Sequence, residues 1–365
     1  MGELRELNLY CVDTIGRGGT EVWVQSLIKS LAKEYKVRLI SGTLEPEISE
    51  FVSTFVRLRL PSKPAFLRVL TYSIISSFVP KSNADVFHVV GAITFRKSHL
   101  NTVHFYHKEN FRLRRTTIYK NDSKFRVLNR LFYTIMCLCM EKVIFREFFS
   151  RKLASVSPEM CVLLEKDFDR NVHLTHNGIN PKEIGRGKSE IHEPYLLFVG
   201  GDWERKGLAD VIVSVSLIKQ FYPVVKLYVV GSGHKEPYCL QSKKLGVEEN
   251  IVWVGRVPRS EIPYSEKSIV LSASTFEVSP LIFLEAAMSG APVISYPVFG
   301  TKEAVEDGYL RICDPSPKGL ATELVDLLGD VQCMSSMSSR GIRLRETKNW
   351  DLMVRETLDL YPDEK

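Results

Sequence analysis

The sequence predicts an α/β protein built as two Rossmann-like domains, with parallel sheets facing a central cleft. Three observations lead there. An apolar run at residues 7–12 ends at the turn Ile15-Gly16-Arg17-Gly18-Gly19. Apolar residues at helical spacing follow (Val24, Leu27, Ile28, Leu31, Tyr35), and then a strand at 37–40. The same order begins again near Glu193, with a strand at 195–199, a loop at 200–207 and a helical stretch at 208–221. Finally, 365 residues at about 100–200 residues per domain favour two domains.

The remaining elements extend each layer. In the first half, residues 85–90 and 101–105 are apolar and β-rich, and read as further strands of one sheet. In the second, 226–230, 251–254 and 269–271 are strands, and a helix through Leu284 to Met288 leads into a strand at 292–294. The polar stretch 181–188, rich in Gly and Lys, is the natural linker. A final helix carries Trp350, Met353, Val354, Leu358 and Tyr361 on one stripe. The expected boundaries are therefore 1–186 for the first domain, 187–346 for the second, and 347–365 for a helix packing back on the first.

Composition excludes several classes. With 44% hydrophobic and 25% charged residues, the chain is neither fibrous nor disordered. Seven scattered cysteines, none at zinc-site spacing, argue against a disulfide framework and for a reducing compartment. The opening residues lack a basic segment followed by an apolar one, and no apolar run approaches the ~20 residues of a membrane span. The expectation is a cytoplasmic protein, with contact to a membrane surface left open.

The net charge of +6 is unevenly placed, at +11 for residues 1–190 and −5 for 191–365. Much of the excess lies in residues 96–130, where ten cations from Arg96 to Arg130 accompany only Glu109 and Asp122. Aromatic residues (Phe105, Tyr106, Phe111, Tyr119, Phe125) are interleaved, a mixture suited to anionic lipid head groups or to nucleic acid. A solvated basic face is the plain alternative.

Three segments have the residue types of a phosphate-handling site. In 198–207, Arg205 and Lys206 sit in a loop after a strand, where open α/β sheets bind ligands, and both side chains suit phosphate oxygens. In 274–293, Glu277 and Glu285 are separated by seven residues, with a helix start expected near Ser279 or Pro280. Eight helical residues rise about 12 Å, so two such carboxylates could hold the ends of a ligand whose diphosphate meets the helix N-terminus. Taken alone, that spacing also arises by chance on an ordinary helix. The third segment, Gly16-Arg17-Gly18-Gly19, offers bare backbone amides, but it is not GxGxxG and no acid ends the next strand. Nicotinamide binding is thus disfavoured. Asp167-Phe168-Asp169 has the form of a metal-binding pair but reads as solvated loop.

Taken in order, these segments resemble the retaining glycosyltransferases of family 4, which have the GT-B fold. The likeness covers most of the chain. It runs through the glycine-rich opening at 15–27, Asp85-Val86-Phe87-His88, Thr102-Val103-His104, Val156-Ser157-Pro158 and Asn177-Gly178-Ile179. It continues through the loop Val199 to Lys206-Gly207, the Glu277-to-Glu285 segment and the Trp350 helix. The resemblance implies a role for each matching residue. Lys206 contacts the donor diphosphate, Glu285 holds the ribose hydroxyls and Glu277 lies by the transferred sugar. Ser279 to Leu281 offer backbone groups. His104 lies near the sugar, preferred over His107, and Gly18 and Gly19 let the first domain close on the diphosphate. Two positions depart from the family pattern. Gly201 stands where an arginine is common, which gives Arg205 that part, and Val278 and Pro280 stand where glycines are common.

The implied activity is metal-independent hexosyl transfer, with retention, from a UDP- or GDP-sugar to a glycan or lipid-linked acceptor. It needs no cofactor, and residues 96–130 are expected at an anionic membrane; no nucleic-acid partner is implied. Three rivals remain from the sequence: a glycoside hydrolase with two carboxylates, a sugar-nucleotide epimerase on the same fold, and a non-catalytic membrane or nucleic-acid binder.

Overall fold

The computed structural model describes residues 4–362 apart from 17, 81, 83–85, 115–123, 185–190 and 192, and leaves out the side chains of 114 and 124–126. Arg17, Asp85, part of the expected linker and half the cations of 96–130 therefore lie outside the described residues. The chain divides into two compact units, 1–177 with 350–365, and 178–349. The expected boundary of 186 thus falls nine residues earlier, and the returning segment begins at Trp350. Backbone pairing explains the shift. The Ile179 amide donates to the Lys348 carbonyl at 3.1 Å and Ile179 bridges to Asn349, so both ends of the second unit are tied together.

The first unit contains β1 (Arg5–Tyr10), α1 (Gly19–Leu31), β2 (Tyr35–Ser41), β3 (Thr54–Arg57), α2 (Ala65–Ser77), β4 (Val86–Val90), β5 (Ser98–Val103), α3 (His107–Arg114), α4 (Lys124–Ile144), β6 (Ser150–Ser155), α5 (Pro158–Phe168) and β7 (Val172–Leu174). Its seven strands lie in the order β3-β2-β1-β4-β5-β6-β7, and every neighbouring pair is parallel. The predicted α1 stripe is buried at Val24, Leu27, Ile28 and Leu31. It packs in one core with Leu7, Leu9, Leu39, Trp350, Val354 and Tyr361.

The second unit contains β8 (Tyr195–Val199), α6 (Leu208–Ile218), β9 (Leu227–Val230), α7 (Glu236–Lys244), β10 (Ile251–Gly255), β11 (Ser268–Ser272), α8 (Leu281–Met288), β12 (Val293–Ser295), α9 (Thr301–Glu306), β13 (Leu310–Ile312), α10 (Pro317–Gly329) and α11 (Val331–Thr347). The last helix, α12 (Trp350–Leu358), belongs to the first unit. The strand order is β10-β9-β8-β11-β12-β13, again all parallel. β8 and β11 are buried along their whole length, as strands covered on both faces must be.

In both sheets the order reverses beside the first strand, between β1 and β4 and between β8 and β11. Crevices at the carboxyl ends of such strands are where open α/β sheets take ligands. Two local readings change. The 208–221 helix ends at Ile218, and Asp167–Asp169 is not open loop. Asp167 lies in the last turn of α5 and accepts hydrogen bonds from Tyr106 Oη and Lys108 Nζ, both at 2.7 Å. All seven cysteines are free.

Candidate functional site in the second unit

The loop 200–207 leaves the end of β8 and is held by its own tryptophan. Trp203 Nε1–H donates to the Gly200 carbonyl at 2.9 Å, and the ring packs against Tyr238 and Trp253 with centroids 5.6 and 5.5 Å away. Two glycines make the loop possible. At Gly200 (φ +142°) a Cβ would lie 2.5 Å from Lys206 Cδ, so the lysine stem crosses bare backbone. At Gly207 (φ +72°) a Cβ would lie 2.2 Å from the Ala273 carbonyl, so the loop presses against the residues that follow β11.

That close approach brings the two candidate segments together. Arg205 Nη1 and Lys206 Nζ both donate to Glu277 Oε1, at 2.8 and 2.9 Å. Arg205 also binds the Phe276 carbonyl at 2.8 Å and, through Nε, Asp202 at 2.9 Å. Ser274 Oγ lies 3.3 Å from the same Glu277 oxygen. Burial works to raise the Glu277 pKa, but Lys206 and then Arg205 outweigh it and hold the carboxyl below its usual range. For Arg205 burial works downward, and Glu277 and Asp202 reverse it, leaving the guanidinium raised. Two cations therefore share two carboxylates, a neutral cluster at the switch point. An entering anion can bind only by competing with Glu277 and Asp202 for these cations.

Glu285 lies on α8 and is buried. Arg259 Nη2 donates to its Oε1 at 2.7 Å and Tyr264 Oη to its Oε2 at 3.1 Å, while Arg259 Nη1 stands 3.7 Å from Glu183. Burial and the Glu285 charge push the Tyr264 phenol well above its usual range. Neither Arg259 nor Tyr264 was anticipated, since residues 21 and 26 positions away carry no spacing signal. Pro280 precedes α8 in an extended conformation and supplies no side-chain cap, so the helix starts at Leu281 directly after the Ser279 segment. The expected helix start near Ser279 or Pro280 is off by a residue or two.

The first unit places its candidates differently. Gly18 is the N-cap of α1 and Gly19 its first residue, and a Cβ at Gly18 would lie 2.3 Å from Glu21 Oε2. The Glu21 carboxylate thus folds back over the glycine turn. Burial raises its pKa against a hydrogen bond from its own backbone, and the Asp13 charge adds to the rise. Asp13 is itself bound by Arg68 and by Thr43 Oγ1, the latter at 3.0 Å. His104 falls just past β5, its ring tilted against Trp23 at 4.1 Å. Its Nε2 is buried and has no hydrogen-bond partner among the described residues. Burial lowers its pKa to about 3, so the ring is neutral.

His107, the competing histidine, is committed elsewhere. Glu141 accepts from its backbone amide and Nδ1 at 2.6 and 2.8 Å. Burial lowers its pKa, but bonds to Cys137 and Glu141 carry it up to about 10. His88 is a buried strand residue, bonded to Tyr361 Oη at 2.8 Å and Thr102 Oγ1 at 2.9 Å, and lines no candidate site.

With this geometry in hand, the class of protein follows. Among solved structures, the chain matches WaaG, a glycosyltransferase involved in lipopolysaccharide biosynthesis, with TM-score 0.79 and 16% identity over 98% of this chain and 100% of that one. It also matches HepE of Anabaena in complex with UDP-glucose, with TM-score 0.70 and 14% identity over 97% and 99% of the two chains. The architecture is that of the GT-B glycosyltransferases, two parallel-sheet Rossmann-like domains. A model of the family described as Glycosyl transferases group 1 matches residues 181–343, and one described as Glycosyltransferase Family 4 matches 17–183. The chain belongs to the family 4 glycosyltransferases. Among curated relatives it is 26% identical to an uncharacterized glycosyltransferase of Methanocaldococcus jannaschii over 229 residues, 57% of each chain. It is 32% identical to the lipopolysaccharide glucosyltransferase WaaG of Escherichia coli over 132 residues, 35% of each. The alignments thus span about half or less of these relatives' lengths.

Proposed function

We propose that the protein transfers a hexose from a UDP- or GDP-sugar to an acceptor hydroxyl with retention of anomeric configuration, without a metal ion. The observation that carries this reading is the meeting of Arg205 and Lys206 on one oxygen of Glu277 at the β8/β11 switch point. Two fixed cations, largely withdrawn from solvent, suit the charge that builds on a departing diphosphate, a stabilisation that is among the largest catalytic terms. In this reading the diphosphate displaces Glu277 from the cations, and the freed carboxylate positions the sugar rather than attacking it. The β-phosphate takes the acceptor proton on the face it leaves. Ser279 and the amides from Leu281 onward contact phosphate and sugar. Glu285, oriented by Arg259 and Tyr264, accepts from the ribose hydroxyls.

In the first unit, the neutral His104 offers its unpartnered Nε2 to a sugar hydroxyl. A lipid-linked or membrane-proximal glycan at the cytoplasmic face is the acceptor class, in keeping with the lipopolysaccharide glucosyltransferase WaaG among its relatives and with seven free cysteines.

The test is thermal-shift screening against UDP, GDP and their sugars, followed by product analysis with the best donor. A donor-dependent rise in Tm and an α-linked product from an α-linked donor are expected, undiminished by EDTA. A product formed without acceptor would instead indicate an epimerase. Loss of activity in EDTA, restored only by added metal, would overturn the metal-independent mechanism.

A further inference from the structure

Within residues 96–130, three of the described cations already have partners. Arg96 donates to the Val79 carbonyl, Lys108 pairs with Asp167 at 2.7 Å and Arg112 with Glu109 at 2.5 Å. A more unusual surface of the first unit lies on α2 and on α4, whose first turns belong to the same stretch. Along α2 and just past it, Leu67, Leu70, Ile74 and Phe78 recur at helical spacing and all face outward, Phe78 with 82% of its surface exposed. Along α4, Leu128, Leu131, Phe132 and Ile135 do the same, Phe132 at 55%. The two helices pack together, and the Phe66 and Phe132 rings meet at 6.3 Å, joining the stripes into one apolar face. Scattered exposed apolar residues are ordinary, but two adjoining stripes of large ones mark an interaction site.

The charge on these helices indicates what covers the face. α2 contains no acidic residue, and its one cation, Arg68, is turned to Asp13. The only acid in α4 is Glu141, which is buried and receives the first amides of α3 from His107 and Lys108. Arg130 and Lys142 of α4 are exposed, as is Arg146 just beyond it. A face of Leu, Ile and Phe flanked mainly by cations, with Glu147 beside Arg146 as an exposed acid, has the composition of a helix lying in an anionic bilayer interface. Two copies of such a face would set cation against cation. We propose that the α2/α4 face seats the first unit on an anionic lipid bilayer. For its purpose, delivery of the enzyme to a membrane-borne acceptor, the inference rests on the transferase reading above.

The experiment is co-sedimentation of the full chain with vesicles of phosphatidylcholine mixed with phosphatidylglycerol, and with phosphatidylcholine alone. The wild type is compared with Ile74→Asp/Phe78→Asp and with Leu131→Asp/Ile135→Asp. UDP- and GDP-sugar binding and light scattering are measured on the same preparations. Expected is binding to the mixed vesicles that weakens with salt, falls roughly tenfold or more in each aspartate pair, and leaves donor binding unchanged. Should an aspartate pair unfold the unit, Ile74→Ser/Phe78→Ser reads the same face more gently. Equal sedimentation of wild type and variants, or none by the wild type, overturns the proposal. So does a wild-type dimer that the variants dissociate without vesicle binding. Vesicle binding without donor binding upholds the docking face and defeats the transferase reading; donor binding without vesicle binding does the reverse.

Discussion

Beside β8 and β11, the second unit brings Arg205, Lys206, Glu277 and Asp202 into contact. At the corresponding point beside β1, the first unit holds a glycine turn covered by Glu21, with Asp13 bound to Arg68 and Thr43, and nearby histidines kept neutral by burial. The same strand order thus carries different chemistry. In the second unit, two cations are held by carboxylates that a diphosphate can displace. In the first, the described carboxylates and neutral aromatic rings suit polar groups that carry no negative charge, such as sugar hydroxyls. A shared topology fixes where a site forms and leaves its chemistry to a few loop residues.

The sharpest way to break the contrast is to remove the cation that only the second unit supplies. Lys206→Ala should lower kcat/KM by about a thousandfold, in the range of losing a principal charge-stabilising donor. Steady-state kinetics with the identified donor checks it, and a glycoside hydrolase would be indifferent to the change. Glu277→Gln should separate two roles. With the carboxylate charge gone, Lys206 and Arg205 no longer face a competing anion, so nucleoside diphosphate should bind more tightly while kcat falls about a hundredfold. Calorimetry showing weaker diphosphate binding would mean that Glu277 holds the cations in place rather than occupying them.

The sequence made these residues legible because they act locally. A strand, a loop with adjacent cations and a proline-led helix are contiguous patterns, and the order of motifs carried the family. What stayed hidden depends on folding. Trp203 looked like any loop aromatic until its N–H met Gly200, and Arg259 and Tyr264 reach Glu285 from another loop. α2 went unread for a different reason. Its outward face carries Leu67, Leu70, Ile74 and Ile75 while its buried residues are Tyr72, Ser73 and Ser76, so the pattern that marks a surface helix is inverted, and that outward face is its most informative surface. Charge counts, too, do not show which cations are already paired, as Lys108 is with Asp167 and Arg112 with Glu109.

A second pair of experiments tests the first unit's neutral interior through pH. An unfolded histidine titrates near 6.5, whereas burial holds His104 at about 3, and burial with the His104 charge holds His88 at about 3. Between those values the unfolded chain binds the extra protons. The stability tied to each ring is complete above pH 6.5 and is lost as pH falls toward 3. At pH 5 the loss is about 2 kcal/mol per histidine. His104→Phe, which keeps a ring against Trp23, should match the wild type at pH 7.5 and lose about 2 kcal/mol less at pH 5 in denaturant melts. Parallel pH profiles would show that His104 gains a proton without unfolding.

The smallest effect concerns the loop's own scaffold in the second unit. Trp203→Phe preserves most of the ring packing against Tyr238 and Trp253 but removes the Nε1–H bond to the Gly200 carbonyl. One neutral hydrogen bond is worth about 1 kcal/mol, so the Tm should fall only a few degrees. The consequence for binding should be more selective, because Gly200 is the surface over which Lys206 lies. Donor KM should rise about fivefold with kcat little changed, as a cation displaced in the resting site is drawn back by the bound diphosphate. An equal fall in kcat would place the loop's rigidity in the transition state itself, and the second unit's cationic site would then depend on preorganisation as much as on charge.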